Sequence, residues 1–327
     1  MNSTFSWHGG RLSDARAHYG EGDEPWIDLS TGISPFPWSG VTGIIPEWQA
    51  LPDPVKLKVL EAKAAQYYGV RPDNICTVPG SETGLRMLDT ILAMPACYVT
   101  PCYRTHADIF SDSRAISRFQ TSECTSAMLL ANPNNPDGYV VQRDRLEKWL
   151  HALESTESWL IIDEAFADPL SGISMADQVD DTRRLIITRS FGKFFGLAGV
   201  RLGFILGPRK IISAYRKLLG DWPVSDAALD IGIAAYSDQS SIAAMREAII
   251  ARAEQLDRIL LRRGYTPLGH CPLFRLVETS SAFTLFEKLA QRHILTRPFD
   301  EHPAWLRFGL PADEAAMARL ERALADG

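Results

Sequence analysis

The chain reads Thr188-Arg189-Ser190-Phe191-Gly192-Lys193-Phe194-Phe195-Gly196-Leu197-Ala198-Gly199-Val200-Arg201-Leu202-Gly203-Phe204 directly after the apolar run Leu185-Ile186-Ile187. Lys193 lies among glycines and aromatic residues, with Ser190 before it and Arg201 after it. An amine must be neutral to add to an aldehyde, and an apolar setting flanked by a cation lowers a lysine's pKa towards that state. Lys193 is therefore the candidate Schiff-base residue.

The residues on either side of Lys193 indicate its ligand. Ser190 supplies a hydroxyl and Arg201 a forked, permanently charged donor, and together they match a phosphate dianion. A phosphorylated aldehyde that reacts with lysine is pyridoxal 5'-phosphate, so this cofactor is expected. The alternative is that Lys193 is a solvated lysine in a glycine-rich loop, as most lysines are.

Three other stretches place polar residues where apolar runs end. Asn135 lies in a turn that follows apolar residues 127–130, and Asp163 follows the run 159–162. In open α/β sheets, ligands bind at the carboxyl ends of the strands. A third stretch, residues 77–84, joins a strand to a helix that begins at Ser81. Free N–H groups at such a helix start can bind an anion.

These stretches together resemble the class I/II aminotransferase family of fold type I pyridoxal-phosphate enzymes, over nearly the whole chain. The resemblance implies an α/β fold with a large, mostly parallel-sheet domain and a smaller α+β domain. It also implies that Lys193 is the catalytic residue, that Asp163 pairs with the pyridine nitrogen and that Asn135 holds the cofactor's 3'-oxygen. The expected cofactor-binding residues are Ser81, Glu82, Thr83, Tyr103, Asn135, Asp163, Ser190, Lys193 and Arg201.

The order of predicted elements agrees with that fold. Strands are predicted at 75–78, 96–100, 115–119, 127–131, 159–162, 185–188, 202–206, 273–277, 294–297 and 305–308. Helices are predicted at 54–68, 82–93, 143–153, 208–219, 225–236, 242–263, 281–292 and 312–325. In the first two thirds of the chain, strands alternate with helices, which predicts a largely parallel sheet covered on both faces. The predicted domains are an amino-terminal arm over 1–46, a large cofactor-binding domain over 47–222 and a small domain over 223–327.

The amino-terminal arm is rich in Gly, Pro, Ser and Trp, and we expect it to be extended with little regular structure. Its tryptophans argue against disorder. His8-Gly9-Gly10 resembles the arm of the L-threonine-O-3-phosphate decarboxylases, which helps to bind the substrate phosphate. On composition alone, His8 is an ordinary exposed histidine. Some relatives carry asparagines where Gly32 and Ser34 stand, so backbone or water contacts would have to replace those amides here.

Two aromatic positions bear on the cofactor ring. By resemblance, Tyr103 stacks on the pyridine and His106 hydrogen-bonds Asp163; the alternative places Tyr103 in the core and His106 on a helix surface. Phe166 stands where many relatives have a tyrosine whose hydroxyl reaches the cofactor's 3'-oxygen. Because Phe166 has no hydroxyl, Asn135 is left as the main partner of that oxygen. Asp-Glu-Ala-Phe at this point again resembles the threonine-phosphate decarboxylases.

Arg297 and Arg307 stand at strand ends in the small domain. An arginine fork suits carboxylate and phosphate equally, so chemistry alone cannot assign them. By resemblance, Arg307 clamps the substrate α-carboxylate and Arg297 helps to hold the substrate phosphate. The alternative is surface ion pairs, which contribute little to stability. The expected substrate-binding residues are His8, Gly9, Gly32, Asn135, Arg297 and Arg307.

The resemblance implies decarboxylation of L-threonine O-3-phosphate to (R)-1-amino-2-propanol O-2-phosphate, a building block of cobalamin's nucleotide loop. Histidinol-phosphate aminotransferase is the alternative, because it uses the same cofactor set and a phosphate-bearing substrate. A pyridoxal-phosphate-binding regulatory module is the non-enzyme alternative, but such proteins usually carry a basic helix-turn-helix domain that finds no place here. Family members are homodimers, so a homodimer is expected.

Composition and charge exclude other classes. The 327 residues are 46% hydrophobic with a net charge of -6, and no long basic run occurs, so no nucleic-acid partner is expected. No apolar run approaches a membrane span and the start lacks a signal-peptide pattern, which predicts a soluble cytoplasmic protein. The five cysteines include no Cys-x-x-Cys pair. Reduced thiols are therefore expected rather than a disulfide framework or a metal site.

Overall fold

The computed structural model describes residues 3–120 and 124–325. By internal packing the chain forms two compact units. The large unit comprises Pro37–Asn135 and Val140–Arg246, and the small unit comprises Pro136–Tyr139 with the described parts of Met1–Phe36 and Glu247–Gly327. The domain limits at 46 and 222 stay a prediction.

The regular elements are numbered in chain order. The strands are β1 (Ile27–Asp28), β2 (Ile75–Val78), β3 (Ala96–Thr100), β4 (Ser113–Ser117), β5 (Ala127–Ala131), β6 (Leu160–Asp163), β7 (Leu185–Ser190), β8 (Gly203–Leu206), β9 (Pro267–Leu268), β10 (Phe274–Glu278), β11 (Ile294–Leu295), β12 (Arg297–Pro298) and β13 (Trp305–Gly309). The helices are α1 (Ser3–Trp7), α2 (Leu12–Tyr19), α3 (Pro54–Tyr68), α4 (Ser81–Arg86), α5 (Leu88–Leu92), α6 (Arg143–Glu154), α7 (Phe191–Phe194), α8 (Arg209–Leu219), α9 (Asp226–Ser237), α10 (Gln239–Arg262), α11 (Ala282–Ala290) and α12 (Glu314–Ala325).

The large unit is built on a seven-stranded sheet with the strand order β2-β8-β7-β6-β5-β3-β4. β8 runs antiparallel to both of its neighbours, and the other neighbouring pairs are parallel. The predicted, largely parallel α/β sheet is confirmed. Its central strands are apolar and buried along their length, as strands covered on both faces should be. In β6, Leu160, Ile161 and Ile162 have no exposed surface.

Helix α3 shows how local sequence fixes an element. Asp53 accepts a hydrogen bond from the backbone N–H of Val55, Pro54 occupies the first turn, and Gly69 ends the helix with a φ of 73°. An acidic N-cap, a first-turn proline and a left-handed glycine are the signals expected at helix ends. The predicted helix over 54–68 is confirmed.

The small unit carries two sheets. β12, β13, β10 and β9 form an antiparallel four-stranded sheet in that order, and β1 pairs in parallel with β11. In the register of β12 and β13, Arg297 lies directly opposite Arg307. This pairing brings the two predicted substrate-binding arginines to one point of the sheet.

Four predictions of local structure were wrong. The arm, expected to have little regular structure, contains α1 and α2, and the single strand predicted near 294–297 is two strands, β11 and β12, that belong to different sheets. The single helix predicted over 82–93 is two helices that meet at Met87, and the edge strand predicted at 115–119 is Ser113–Ser117. The strand is shifted because its pairing with β3, which begins at Ala96 opposite Ser113, determines where it starts.

The five cysteines are not bonded to one another in the structure. All five are free thiols, four of them buried and Cys102 partly exposed. Among the described residues, no cluster of three or more His, Cys, Asp or Glu side chains has the arrangement of a metal site. Within residues 3–120 and 124–325, no helix combines the length and the apolar character needed to cross a bilayer.

Candidate functional site

Lys193 lies in the single-turn helix α7, directly after the carboxyl end of β7. Phe191, Phe194 and Phe195 are fully buried around it, and the rings of Phe191 and Phe195 stack with centroids 4.4 Å apart. Lys193 itself is only partly buried, and its Nζ lies 5.7 Å from the centroid of the Phe166 ring. The phenylalanines therefore anchor the turn, while the lysine amine lies beside an aromatic face.

Asp163 ends β6, next to β7 in the sheet, and only 6% of its surface is exposed. Its Oδ1 accepts hydrogen bonds from Thr188 Oγ1 at 2.8 Å and from the N–H of Ala165 at 3.2 Å. Its Oδ2 lies 3.4 Å from Nε2 of His106, which is fully buried. The expected contact between His106 and Asp163 is present, and the carboxylate is held from three directions.

The predicted phosphate-binding residues of the large unit lie together. Ser81 begins α4, as predicted, and the preceding Gly80 has a φ of +90°. A Cβ built on Gly80 would lie 2.6 Å from Nη2 of Arg201, so a side chain there would displace the guanidinium as well as strain the backbone. Arg201 also has a positive φ, of 55°. A cation is thus held against the start of a helix, where both would attract an anion.

Tyr103 is fixed by a neighbour on α4. Its hydroxyl donates to Oε2 of Glu82 at 3.1 Å, while Arg86 donates to Oε1 of Glu82. Burial raises the pKa of Tyr103 to about 12, so its hydroxyl stays protonated at neutral pH. The Tyr103 and His106 rings meet edge to face with centroids 5.7 Å apart. The Glu82 carboxylate therefore orients Tyr103, and any contact of Glu82 with an anion would come from its backbone N–H.

The asparagine turn after β5 is buried. Asn132 closes it by donating to the Val141 carbonyl at 3.2 Å and accepting from the Val141 N–H at 2.9 Å. Asn134 donates to the Pro101 carbonyl at 2.9 Å. Asn135, 7% exposed, follows in the same turn. The side chains of Asn132 and Asn134 therefore hold the turn in its conformation.

On α4, Thr83 also has a local partner, since its hydroxyl donates to the Pro79 carbonyl at 3.1 Å.

The two predicted arginines of the small unit are buried rather than on the surface. Arg307 is 2% exposed, donates to the Ser30 carbonyl at 3.0 Å and lies over the Phe274 ring at 4.7 Å. Arg297 is 6% exposed and donates to the Trp7 carbonyl at 3.1 Å. Burial, and then the charge of Arg297, hold the pKa of Arg307 well below its ordinary value. The surface ion-pair interpretation of these arginines was wrong.

The His8-Gly9-Gly10 segment packs against the carbonyl that receives Arg307. The N–H of Gly10 donates to Ser30 Oγ at 2.8 Å, and a side chain on Gly9 would collide with the Ser30 carbonyl. His8 is partly exposed, with its ring 6.1 Å from that of Trp7. Gly32 is buried two residues after Ser30. The small unit therefore brings the predicted arm residues and Arg307 together around Ser30.

Sequence reasoning missed Thr188 and Ser30, which hold predicted site residues in place. A signal for Thr188 was available. Alternate residues of a strand point to the same face, so Thr188 shares a face with Ser190 and stands beside Asp163 in the parallel register. Ser30 gave no such signal, because its role depends on a carbonyl and on Arg307, which is 277 positions away.

Comparison with known proteins places these residues in context. The family model for aminotransferase class I and II matches residues 41–324. A threonine-phosphate decarboxylase from Pseudomonas aeruginosa is 38% identical, with 97% of this chain and 96% of that protein covered. A second threonine-phosphate decarboxylase, from a Sinorhizobium species, is 37% identical, with 97% of each covered.

A solved structure shows the same fold. Histidinol-phosphate aminotransferase from Sinorhizobium meliloti, in complex with pyridoxal-5'-phosphate, superimposes with a TM-score of 0.82 at 21% identity, covering 96% of this chain and 93% of that one. The family match spans most of the chain, and full-length relatives exceed 30% identity. The chain therefore belongs to the aminotransferase class I and II family.

Proposed function

We propose that this protein is a pyridoxal-phosphate-dependent lyase that decarboxylates L-threonine O-3-phosphate. The observation that carries the proposal is identity of 37–38% over nearly the full length to two proteins of that name. The expected product is (R)-1-amino-2-propanol O-2-phosphate, which would serve cobalamin biosynthesis. The buried pair Arg297 and Arg307 supports a substrate with two anionic groups.

The residues of the large unit fit the cofactor. Arg201 against the start of α4, together with Ser190, makes a cationic, donor-rich place for its phosphate. Asp163 offers a buried, pre-oriented carboxylate for the pyridine nitrogen. Asn135 is assigned to the 3'-oxygen, since Phe166 has no hydroxyl to offer. When bound, pyridoxal 5'-phosphate supplies an electron sink for the bond that breaks at Cα.

Each assigned residue then has a defined role. Lys193 would hold the cofactor through its amine and would move a proton at the substrate Cα. Asp163 holds a proton on the pyridine nitrogen, because a nearby opposite charge favours the charged form. Tyr103, oriented by Glu82, stacks on the ring.

The substrate residues determine which bond is broken. Arg307 is assigned to the α-carboxylate, and Arg297, His8 and Gly9 to the substrate phosphate. By holding the carboxylate and the phosphate, these residues would decide whether the substrate loses CO2 or the Cα proton. On loss of CO2, the electron pair of the Cα–carboxylate bond would pass to the cofactor, and Lys193 would deliver a proton to Cα in place of the carboxylate.

We also propose a homodimer. The stretch from the end of the arm to the first turn of α3 exposes apolar side chains whose exposed fractions are 91% for Ile45, 76% for Trp48, 67% for Leu51 and 64% for Val55. A group of large exposed apolar side chains of this kind marks an interaction surface. A second copy of the chain is the proposed partner, in keeping with the family resemblance.

We also propose a cytoplasmic location. The five free cysteines fit it, because thiols stay reduced in that compartment.

The test is CO2 release from L-threonine O-3-phosphate by the purified, cofactor-loaded protein with no 2-oxoacid present. We expect steady turnover, none with L-threonine, and loss of both turnover and the visible cofactor band in Lys193→Ala. A visible band that persists in Lys193→Ala would refute the assignment of the lysine.

Two other outcomes would move the assignment. Conversion of histidinol phosphate and 2-oxoglutarate to glutamate, without CO2 release from threonine phosphate, would make the protein an aminotransferase on the same fold. A cofactor band that changes with an amino acid but never turns over would favour the regulatory module.

A further inference from the structure

A buried charged cluster lies beside the candidate cofactor residues without belonging to them. Arg189 donates to Glu164 through Nη1 and to Asp168 Oδ1 through Nη2 at 2.8 Å. The guanidinium also lies over the Tyr68 ring, 4.4 Å from its centroid. Arg189, Glu164 and Asp168 are 3%, 0% and 5% exposed. We call these three residues the Arg189 cluster.

The cluster joins two of the chain segments that carry expected cofactor residues. Glu164 directly follows Asp163, and Arg189 directly precedes Ser190. In the parallel register Asp163 stands opposite Thr188, so Glu164 and Arg189 are the next residues along. Because strand residues alternate between faces, this pair lies on the face opposite to Asp163, Thr188 and Ser190. The cluster therefore ties together the carboxyl ends of β6 and β7 from behind.

The carboxylate of Glu164 is further fixed by the loop that follows β6. It accepts from the Ser174 hydroxyl at 2.6 Å and from the N–H of Met175 at 2.9 Å. The third member of the cluster, Asp168, is also held through its backbone, because its carbonyl accepts a hydrogen bond from Nε of Arg246 at 3.1 Å. The ion pair between Glu164 and Arg189 therefore links the end of β6 and the end of β7 to the loop that joins these two strands. A link of this kind restricts how far Asp163 can move relative to Ser190 and Lys193.

We propose that Glu164, Asp168 and Arg189 are positioning residues that fix the separation between Asp163 and the Ser190–Lys193 turn, and thereby the geometry in which the cofactor is held. This inference rests on the proposed function, since it needs pyridoxal 5'-phosphate as the ligand. None of the three touches the reacting atoms. Their effect reaches the cofactor through the backbone of the adjoining residues.

The test compares two buried glutamates in the large unit. Glu164→Gln keeps the shape of the cluster but removes one charge. Glu61→Gln is the matched control: Glu61 is 6% exposed and also accepts from an arginine, Arg216, and from a backbone N–H, that of Thr77. For each variant we would measure the cofactor dissociation constant, the pH midpoint of the visible band of the bound cofactor, and thermal unfolding.

Glu164→Gln should weaken cofactor binding on the order of 10-fold, as loss of a supporting partner typically does, and should shift the pH midpoint. Glu61→Gln should lower thermal stability while leaving both cofactor readouts at wild-type values. If Glu164→Gln does not fold, Asp168→Asn, which retains the contact between Arg189 and Glu164, should show the same changes to a smaller degree.

Unchanged cofactor readouts in a folded cluster variant, or equal changes in Glu61→Gln, would overturn the inference. The wild-type protein separates this outcome from failure of the proposed function. If the wild-type chain binds no pyridoxal 5'-phosphate, the proposed function fails first, whatever the variants do.

Discussion

Arg189 in the large unit and Arg307 in the small unit are buried to nearly the same degree, but their surroundings carry opposite charge. Burial lowers the pKa of Arg189, yet Asp168 and Glu164 outweigh this effect and hold that pKa well above its ordinary value. For Arg307, burial lowers the pKa and the charge of Arg297 lowers it further, and together they outweigh the opposing effects of Cys271 and Asp28. Arg189 is therefore paired with two carboxylates, whereas Arg307 lies opposite a second cation, Arg297.

This difference separates a structural charge from one held for a ligand. Two like charges directly opposite each other on neighbouring strands destabilise a sheet, and burying a cation is costly as well. A protein that keeps such a pair loses stability at that point, which is typical of functional sites. An anionic substrate bound to these arginines would replace their mutual repulsion with attraction to the ligand. The comparison therefore predicts that Arg189 supports the fold, whereas Arg307 supports binding.

The largest expected effect is on stability. Arg189→Met should lower the free energy of unfolding by about 3–5 kcal/mol, because it leaves two buried carboxylates without their cation. Arg307→Met should leave stability unchanged or raise it, because it removes a desolvated charge beside another. Urea unfolding of both variants measures the contrast. Equal losses in the two variants would break the comparison.

The second effect is stabilisation by an anion. Inorganic phosphate should raise the unfolding temperature of the wild-type protein, corresponding to about 2.7 kcal/mol at 100 times its dissociation constant. The gain should be strongly reduced in Arg297→Met, because Arg297 is assigned to the substrate phosphate. Differential scanning fluorimetry across a phosphate series, with chloride at matched ionic strength as the control, gives the answer. An undiminished gain in the variant would place the anion elsewhere.

A third effect concerns pH. Burial raises the pKa of Glu164 despite the opposing effect of Arg189. The folded state then binds more protons than the unfolded state, so stability should fall as pH rises from the ordinary glutamate pKa to the raised one. Urea unfolding at a series of pH values, from about pH 4 to about pH 8, measures this decline. The decline should be smaller in Glu164→Gln, and an identical decline would assign it to other groups.

The smallest effect is the repulsion between the paired arginines. Arg297→Met should stabilise the protein by roughly 0.2–1 kcal/mol, since it removes a like charge directly opposite Arg307. The same change in an Arg307→Met background should give a smaller gain. A double-mutant cycle by urea unfolding measures the coupling. A cycle with no coupling would show that the two charges do not interact.

Much of the sheet was predictable because its signals are local. The strands at 75–78, 96–100 and 127–131 were predicted to the residue, since a short apolar run between polar turns marks a buried strand. Local signals also placed Lys193 and Asp163 near the carboxyl ends of strands: Asp163 ends β6, and Lys193 lies in the turn after β7. The prediction failed where strand pairing determines the boundary of an element, because the start of β4 is set by its register with β3.

The arginines show the limit most clearly. Sequence placed Arg297 and Arg307 at strand ends but left open whether they were surface ion pairs, because burial and cross-strand register depend on the whole fold. The Arg189 cluster was not predicted. Its members are 21 and 25 positions apart along the chain, and no periodicity connects Arg189 with Asp168 or Glu164.

The central claim is that Arg307 is buried to bind substrate rather than to stabilise the fold. Steady-state CO2 release from L-threonine O-3-phosphate by wild type and Arg307→Met tests it most directly. We predict a KM increase of about 100-fold in the variant, as expected for loss of one partner of a buried charge pair, with unfolding free energy unchanged or higher. A KM equal to that of wild type in a variant of reduced stability would contradict the account.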